Sequence, residues 1–484
     1  MTRSRFLSSL MVGLSLCVLG NFSILPVEGF AAVSSYKLPV PEREMLPNGL
    51  EILWFLSDAL PTIDLSLIVR TGFRDDLPGK SGTAELISVL LDRGVKGMSA
   101  TEVARAIESL GGVRNVSVED DHLSIAIHGL AGDASRFLDL LGKIALQPEI
   151  ADLEFKREHQ RLLDRWNHIE DSSEVLAALV YHRILARGTV YGRGSFYSAQ
   201  EFKKVSRKDL ADFHKAHFLP NKSSLVVVGR ANRIEFKQQI EKVFGSWAGP
   251  AESRMASAPV KAAHTYSDQR LAFQGNPPIF IVDRPGATQA QIRLGFQAPP
   301  YQSPDQAALR VANALTGVYF NSRLNSLIRD KLGLTYGINS SLNYAKDYAE
   351  FSIVSSTKNE NVGYLIQKTL DVLKGLKTDP IPAEEVDMAK NYILGGFPLT
   401  AATLSSVASR WLEGYLLGVG PNHLNEFEAS IHAVTPQAVQ NAIKKYFDLD
   451  RLTIVLAGDS KAIQSGLVKL KPFTIKQVRV QDLK

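Results

Sequence analysis

Residues 206–229 read SRKDLADFHKAHFLPNKSSLVVVG, and residues 435–458 read TPQAVQNAIKKYFDLDRLTIVLAG. The two stretches align without a gap at an offset of 229 residues, and each begins with a residue type that caps helices, Ser206 or Thr435. Apolar residues at helical spacing follow, then a polar turn, then a short apolar run that ends in glycine. A helix–turn–strand unit repeated at this distance predicts two tandem domains of similar fold.

The sequence also marks the boundary between the two predicted domains. Segment 248–278 is rich in Ala, Ser, Pro and Gly and has no sustained period, so it is predicted to link domain 36–247 to domain 279–484. Strand and helix patterns occur in groups in both domains, which predicts an α+β fold with antiparallel-rich sheets covered by helices. The first domain is expected to have strands at 50–55, 63–70, 116–118 and 123–127, with helices over 82–92 and from 99; the second, strands at 279–283, 290–296, 336–342 and 350–355, with a helix over 306–316.

The composition is that of a globular protein, with 45% hydrophobic and 22% charged residues in a chain of 484. The formal net charge is +5, but the basic residues are dispersed, so we expect no nucleic-acid partner. Cys17 is the only cysteine and is expected to leave with the N-terminal segment, which excludes disulfides and cysteine metal ligands from the mature chain.

Residues 1–31 have the pattern of a signal peptide. Arg3 and Arg5 precede an apolar stretch, 10–19, and the small residues Gly29 and Ala31 suit a cleavage site. We therefore expect an exported, periplasmic protein with no stable membrane span after signal removal. A retained membrane anchor is the alternative, although the apolar stretch is short for a spanning helix.

The first domain resembles a known peptidase family. Residues 70–76 read RTGFRDD and residues 82–92 read GTAELISVLLD, which is similar to the strand, loop and helix that carry His-x-x-Glu-His in the pitrilysin/insulinase metallopeptidase family. In that family the two histidines hold zinc and the glutamate activates water. The alignment places Glu85, Ser88 and Val89 at these three positions.

The family's third zinc ligand is a glutamate on a later helix. Glu158 matches an earlier glutamate of that helix, so Arg165, seven residues on, falls at the ligand position. The resemblance therefore implies a non-catalytic member in which the zinc ligands and the general base are all absent. We expect no metal or other cofactor in this chain.

Other histidines were considered as a replacement metal site. His214 and His217 lie three apart on a predicted helix, but the repeat places them opposite Ile443 and Tyr446, which predicts packing or surface positions. Glu85 and Asp92 are interpreted as a solvated pair on one helix rather than an acid/base dyad.

The second domain resembles the family's substrate-holding segment. Residues 320–337 read FNSRLNSLIRDKLGLTYG, similar to the family's Ser-Arg-Leu…Leu-Arg-Glu-Lys-x-Gly-Leu-x-Tyr. The family uses this Arg and Tyr to hold the substrate backbone, so the resemblance implies that Arg329 and Tyr336 bind substrate. The structural alternative is that Arg329 forms a surface ion pair with Asp330 and Tyr336 packs within a strand.

The resemblance extends over nearly the whole mature chain and implies one half-shell of a clamshell chamber. In the family's two-chain branch, one subunit supplies zinc and the other supplies the Arg/Tyr pair. We therefore expect a non-catalytic, substrate-binding subunit that acts on peptides with a zinc-bearing homologous subunit. Two alternatives stay open: a scaffold or binding protein of the same fold with no proteolytic role, and an active metalloendopeptidase with a shifted metal site.

Overall fold

The computed structural model describes residues 37–192, 198–249, 278–467, 470 and 473–479. The predicted signal peptide and nearly all of the predicted linker lie outside these residues. The described residues from Leu38 onward belong to one compact unit, within which an N-terminal half (38–249) and a C-terminal half (278–479) each contain one six-stranded sheet. None of the helices described has the length and apolar character needed to cross a bilayer.

The N-terminal half has its large sheet in the order β1-β2-β8-β3-β7-β6, with a small sheet of β4 and β5 beside it. Its strands are β1 (Glu42–Met45), β2 (Glu51–Leu56), β3 (Thr62–Val69), β4 (Gly94–Val95), β5 (Met98–Ser99), β6 (Val113–Val118), β7 (Leu123–Leu130) and β8 (Ser223–Gly229). Its helices are α1 (Thr83–Leu90), α2 (Ala100–Glu108), α3 (Ala134–Leu146), α4 (Asp152–Asn167), α5 (Ser173–Leu185), α6 (Ala199–Phe202), α7 (Arg207–His217) and α8 (Arg233–Phe244).

The C-terminal half has its sheet in the order β11-β12-β10-β13-β9-β14. Its strands are β9 (Pro278–Asp283), β10 (Gln289–Gln297), β11 (Ile338–Ala345), β12 (Tyr348–Lys358), β13 (Thr453–Gly458) and β14 (Thr474–Val478). Its α-helices are α9 (Gln306–Asn313), α10 (Val362–Thr378), α11 (Ala383–Thr400), α12 (Leu404–Leu416), α13 (His423–His432), α14 (Pro436–Tyr446) and α15 (Ser460–Leu467). Two π-helical segments, Ala314–Val318 and Asn325–Lys331, follow α9.

The two sheets share one topology, which confirms the predicted α+β fold with a repeated architecture. In the first sheet β8 lies between β2, to which it is parallel, and β3, to which it is antiparallel. In the second sheet β13 lies in the same way between β9 and β10. Only one edge differs, because β1 joins its neighbour in an antiparallel hairpin whereas β14 arrives from the C-terminus and pairs in parallel.

The repeated stretch forms the helix–turn–strand unit that its sequence predicts. Ser206 Oγ accepts a hydrogen bond from Asp209 N at 3.3 Å, and Thr435 Oγ1 accepts one from Ala438 N at 3.1 Å, so both residues cap their helices. Each helix leads into the strand at the interior of its sheet, β8 or β13. Gly229 closes β8 at φ +112°, a left-handed conformation that favours glycine.

Helix α5 belongs to the N-terminal half but packs on β10 and β13 of the C-terminal sheet. The Tyr181 hydroxyl donates to Phe351 O at 3.2 Å, and Gln297 Nε2 donates to Leu185 O at 2.8 Å. A Cβ at Gly295 would collide with the Tyr181 hydroxyl and with the Phe351 carbonyl. Glycine at 295 therefore allows the helix to approach the strand closely.

Helix α12 makes the reciprocal contact, because it comes from the C-terminal half and packs on β8 of the N-terminal sheet. Its Trp411 ring lies edge-on to Phe55 at 5.9 Å, within an apolar cluster drawn from both halves. The Tyr415 hydroxyl donates to Glu51 Oε2 at 2.7 Å. Burial raises the pKa of Glu51, but hydrogen bonds from Tyr415 and Arg43 outweigh it, so the pKa is lowered and the buried carboxylate stays charged.

The predicted elements agree with the structure except near residue 336. The strand predicted at 336–342 begins two residues later, at Ile338, because Thr335 and Gly337 form a local turn around Tyr336. The helix predicted over 306–316 keeps α geometry only to Asn313 and continues as a π-helical segment. The helix predicted from 99 is α2, and a capping box of Ser99 and Glu102 is present at its start.

The reciprocal helix packing predicts that the two halves stay associated after the chain is cut. A protease site inserted within 250–277 should yield two fragments that co-elute in gel filtration. Gly295→Ala places a methyl group against Tyr181 and should destabilise the protein by about 1–3 kcal/mol, which would weaken this association. Gly395→Ala is the matched control, since that helical glycine has open space around it. Separation of wild-type fragments on cutting would contradict the packing argument.

Candidate functional site

Helix α1 carries the residues that align with the family's zinc motif, and a buried carboxylate fixes its start. Asp76 accepts hydrogen bonds from Gly82 N at 2.6 Å and from Ala84 N at 2.8 Å, which satisfies two of the helix's free donors. Leu86, Ile87 and Leu90 face the core. Glu85 and Val89 are half-buried and four residues apart, so they lie on one face of the helix.

The structure brings Glu85 and Arg165 together, as the alignment implies for two positions of one zinc site. Arg165 Nη2, on α4, donates to Glu85 Oε2 at 2.8 Å. A guanidinium is a permanent cation with no lone pair to give to a metal, and here it already neutralises the nearby carboxylate. The residues at this position therefore do not fit zinc.

Ser88, which aligns with the family's general base, and Glu158, which matches a family glutamate on α4, support the same conclusion. Ser88 is 4% exposed, and its hydroxyl donates to Glu85 O at 2.8 Å, within the helix itself. Glu158 is buried, and its carboxylate accepts a hydrogen bond from Arg161 Nε at 2.6 Å. Burial raises the pKa of Glu158, but Arg161 and neighbouring arginines outweigh burial, so the pKa is lowered. The charge of Glu158 is therefore balanced by these arginines. Among the residues that the structure describes, no group of three His, Cys, Asp or Glu side chains could hold a metal ion.

His214 and His217 have packing roles. His214 stacks on Phe218 at 4.3 Å and hydrogen-bonds Ala145 O at 2.8 Å, and burial lowers its pKa. His217 lies against Phe213 at 4.5 Å. Both rings therefore occupy packing positions, as the comparison with Ile443 and Tyr446 in the repeat predicts.

Strand β6 lies at the edge of its sheet beside α1, a feature that the sequence pattern did not reveal. Arg114 Nε on β6 donates to Asp92 Oδ2 at 2.6 Å and so joins the edge strand to the end of α1. Asp92 therefore pairs with Arg114, not with Glu85. A cleft of about 460 Å³ runs between the two elements, lined by Ser88, Val89 and residues of β6. An exposed strand edge offers unpaired backbone groups to an extended peptide.

Arg329 lies in the π-helical segment Asn325–Lys331, which is followed by Gly333 at φ +61°. Its guanidinium carbon lies 4.5 Å from the centre of the Phe320 ring, a cation–π distance. The Asp330 carboxylate is 4.0 Å from Arg329 Nε, at the outer limit for an ion pair. Arg329 thus contacts the Phe320 ring in addition to the ion pair that the structural alternative required.

Tyr336 is 96% exposed and precedes β11, so the alternative of a packed strand residue is wrong. Its loop is nonetheless held firmly. Ser355 Oγ donates to Gly337 O at 2.9 Å, and Thr357 Oγ1 donates to Leu334 O at 2.6 Å. The phenol is therefore presented to solvent from a backbone that two β12 side chains fix in place.

A cleft of about 580 Å³ lies between the first sheet, α12 and the end of β11. Among the described residues, five carboxylates and no Lys or Arg line it: Asp64, Glu119, Asp120, Asp121 and Glu413. Ser405, Asp64 and His128 meet there in that order, with the aspartate in the middle. His128 is therefore not placed to take the serine proton, and the trio lacks the order of a nucleophilic triad.

One carboxyl in this cleft should make stability depend on pH. Burial, with neighbouring Asp121 and Glu119, raises the pKa of Asp120 from 3.8 to about 6, although His182 opposes the shift. Between pH 3.8 and about 6 the folded protein keeps a proton on Asp120 that the unfolded chain has released. The protonated carboxyl therefore contributes its full stability below about pH 4, and this stability is lost as pH rises through 6. Asp120→Asn should raise the free energy of unfolding at pH 7 by about 1–3 kcal/mol and have little effect near pH 4.

The control for that measurement is Asp371→Asn, since hydrogen bonds from Gln367 and Lys368 lower the pKa of Asp371. Asp371→Asn should destabilise the protein more at pH 7 than at pH 3, whereas Asp120→Asn should stabilise it at pH 7. Denaturant unfolding of each variant across this pH range provides the comparison. A pH-independent effect of Asp120→Asn would contradict the assignment.

The Glu85–Arg165 contact predicts that a zinc site can be restored. Glu85→His with Val89→His puts two imidazoles four apart on α1, and Arg165→Glu supplies a carboxylate where the two helices meet. We expect the folded triple variant to bind one zinc per chain, measured by metal analysis and calorimetry. Arg165→Glu alone is the control and should bind none. A folded triple variant without zinc would show that these three positions do not converge.

Two family models match this chain. "Insulinase (Peptidase family M16)" matches residues 57–196, and "Peptidase M16 inactive domain" matches residues 204–393. Together they account for more than half of the sequence and span both halves of the fold.

Known proteins give the same assignment. An uncharacterized zinc protease of Mycobacterium tuberculosis is 26% identical over 370 residues, which cover 76% of this chain and 82% of that protein. Zinc protease PqqE of Helicobacter pylori is 23% identical over 446 residues, covering 91% and 98% of the two chains. The crystal structure of a peptidase M16 inactive domain from Pseudomonas fluorescens superposes with a TM-score of 0.77 at 22% identity, covering 87% of this chain and 98% of that one. The chain belongs to the peptidase M16, or insulinase, family.

Proposed function

We propose that this chain is the non-catalytic, substrate-binding subunit of a heterodimeric zinc metallopeptidase that acts on peptides. One observation carries the proposal: Arg329 and Tyr336 are displayed on a fixed support, while the aligned metal position holds the Glu85–Arg165 ion pair. Arg329 and Tyr336 are suited to hold a peptide, and the described residues include no cluster that could hold a metal to activate water. A homologous subunit with an intact zinc motif would supply the chemistry across a shared chamber.

Arg329 and Tyr336 have the chemistry that the role requires. A guanidinium presents fixed N–H donors to a peptide carbonyl, and a phenol donates a hydrogen bond to an oxygen that develops negative charge. The 96% exposure of Tyr336 means that a ligand reaches it without displacing other side chains. The fixed loop limits the entropy lost when the phenol engages that ligand.

The β6 edge supports the same function from the N-terminal half. An extended peptide can pair with the free edge of this strand along the cleft that borders α1. Backbone pairing is largely independent of side-chain identity, so it suits a protein that handles varied peptides. The partner's chemistry would then act on a segment held as a strand.

Two alternatives are weaker. A scaffold with no proteolytic role would have no use for the displayed clamp. An active enzyme with a shifted metal site would need a different ligand cluster, and the described residues contain none. An adjacent reading frame that encodes His-x-x-Glu-His would favour the heterodimer over both.

The proposal predicts a complementation result. The purified chain alone should bind no stoichiometric zinc and cleave no peptide, whereas the mixture with its zinc-bearing partner should hydrolyse peptides. Arg329→Ala and Tyr336→Phe should each lower turnover by about 10²–10³, or about 2.7–4 kcal/mol, without preventing assembly. The first removes the donors to the substrate's peptide carbonyl, and the second removes the donor to the developing oxyanion. Peptide hydrolysis and co-purification are the two measurements.

Arg451→Ala is the matched control, since Arg451 forms a similar exposed pair with Asp448 at 3.4 Å. An exposed pair is worth about 0–1 kcal/mol and should not affect turnover. Unchanged turnover in both clamp variants would favour the scaffold alternative. Zinc-dependent proteolysis by this chain alone would favour the shifted metal site.

A further inference from the structure

Phe320 is a large apolar side chain that remains 58% exposed on a well-held turn. It lies between the two π-helical segments, Ala314–Val318 and Asn325–Lys331. Such irregular helical turns widen the backbone and occur often where a protein shapes a functional site. An exposed phenylalanine in this setting calls for a reason other than core packing.

Buried polar side chains hold the turn that carries Phe320. Asn325 Nδ2 donates to Ser322 Oγ at 3.1 Å and to Tyr319 O at 3.4 Å, and Ser322 N donates to Tyr319 O at 3.0 Å. Ser322 and Asn325 are 0% and 4% exposed. The backbone turn that carries Phe320 is thus held by buried hydrogen bonds.

The turn is also joined to α11. The Tyr319 ring packs on Tyr392 at 5.3 Å, and Arg323 Nε donates to Glu385 Oε2 at 2.8 Å. Tyr392 is itself 49% exposed. The turn therefore packs its buried Tyr319 ring against α11 and leaves the exposed Phe320 ring beside the guanidinium of Arg329.

The ring of Phe320 has two surfaces with different uses. One contacts the Arg329 guanidinium at 4.5 Å and restricts where that long, flexible side chain points. The rest is open to solvent, and aromatic surface beside a backbone-binding group is suited to receive an apolar side chain of the same ligand.

We propose that Phe320 is a positioning and specificity-determining residue of the clamp: it holds Arg329 for the peptide backbone and favours peptides with an aromatic or large aliphatic side chain at the neighbouring position. This inference rests on the proposed peptide-binding function and adds the class of side chain that the site prefers. The preference arises because burying an aromatic ring against Phe320 removes apolar surface of both partners from water.

The test uses the full chain and short fluorescent Ser/Ala peptides in which a single Phe is moved along the sequence, with binding measured by anisotropy. The wild-type chain should bind its best Phe peptide about three- to ten-fold more tightly than the all-Ser/Ala peptide. Phe320→Ala should abolish this discrimination and weaken every peptide several-fold. Phe320→Trp, which keeps the stacking surface, should restore both.

Tyr364→Ala is the matched control, because Tyr364 is 48% exposed and lies 5.6 Å from the Lys368 ammonium, a similar cation–π pair on α10. It should leave binding and discrimination unchanged. If Phe320→Ala keeps the discrimination while Arg329→Ala abolishes binding, this inference is wrong and the peptide-binding function stands. If neither Arg329→Ala nor Tyr336→Phe alters binding, or if no peptide binds the wild-type chain, both fail.

Discussion

Each sheet in this protein depends on a helix from the other half of the chain. Helix α5 lies on the C-terminal sheet and α12 lies on the N-terminal sheet, so each half covers apolar surface that the other would leave in water. A six-stranded sheet must bury most of at least one face, and here both sheets gain cover on a second face as well. The halves are consequently parts of one folded unit, even though their strand orders show two copies of one topology.

The packing of α12 on the N-terminal sheet also supplies a hydrogen-bond donor to the buried carboxylate of Glu51. Glu51 is buried beneath α12, and it stays charged because Tyr415 and Arg43 reach it from outside its own strand. A buried carboxylate without such donors would cost several kcal/mol. Tyr415 comes from the C-terminal half, so the same hydrogen bond that stabilises the charge also fixes α12 on the sheet.

The approach of α1 to α4 imposes a similar constraint at the aligned metal position. The side chains at 85 and 165 meet whatever residues occupy them, and a carboxylate at one place favours a cation at the other. The guanidinium of Arg165 supplies that cation here, 2.8 Å from the Glu85 carboxylate, and so joins the two helices.

The sequence by itself determined the α+β class, the repeat and the identity of the degenerate motif. Those features depend on local signals: the caps at Ser206 and Thr435, the period of the apolar residues, and fixed spacing along one helix. The sequence also predicted Arg329 and Tyr336 as candidate substrate-binding residues. It placed the start of a strand at Tyr336, two residues too early, because the polar turn formed by Thr335 and Gly337 resembles the start of β11 in composition.

Only the tertiary structure decided the rest. The exchange of α5 and α12, the edge position of β6 and the Phe320–Arg329 contact all join residues distant in sequence or set by irregular backbone. The Glu85–Arg165 pair joins residues 80 apart. Local sequence patterns indicate which face of each helix or strand is apolar enough to be buried. Which other element covers that face depends on shape and charge across the whole fold, so it cannot be predicted from any single segment.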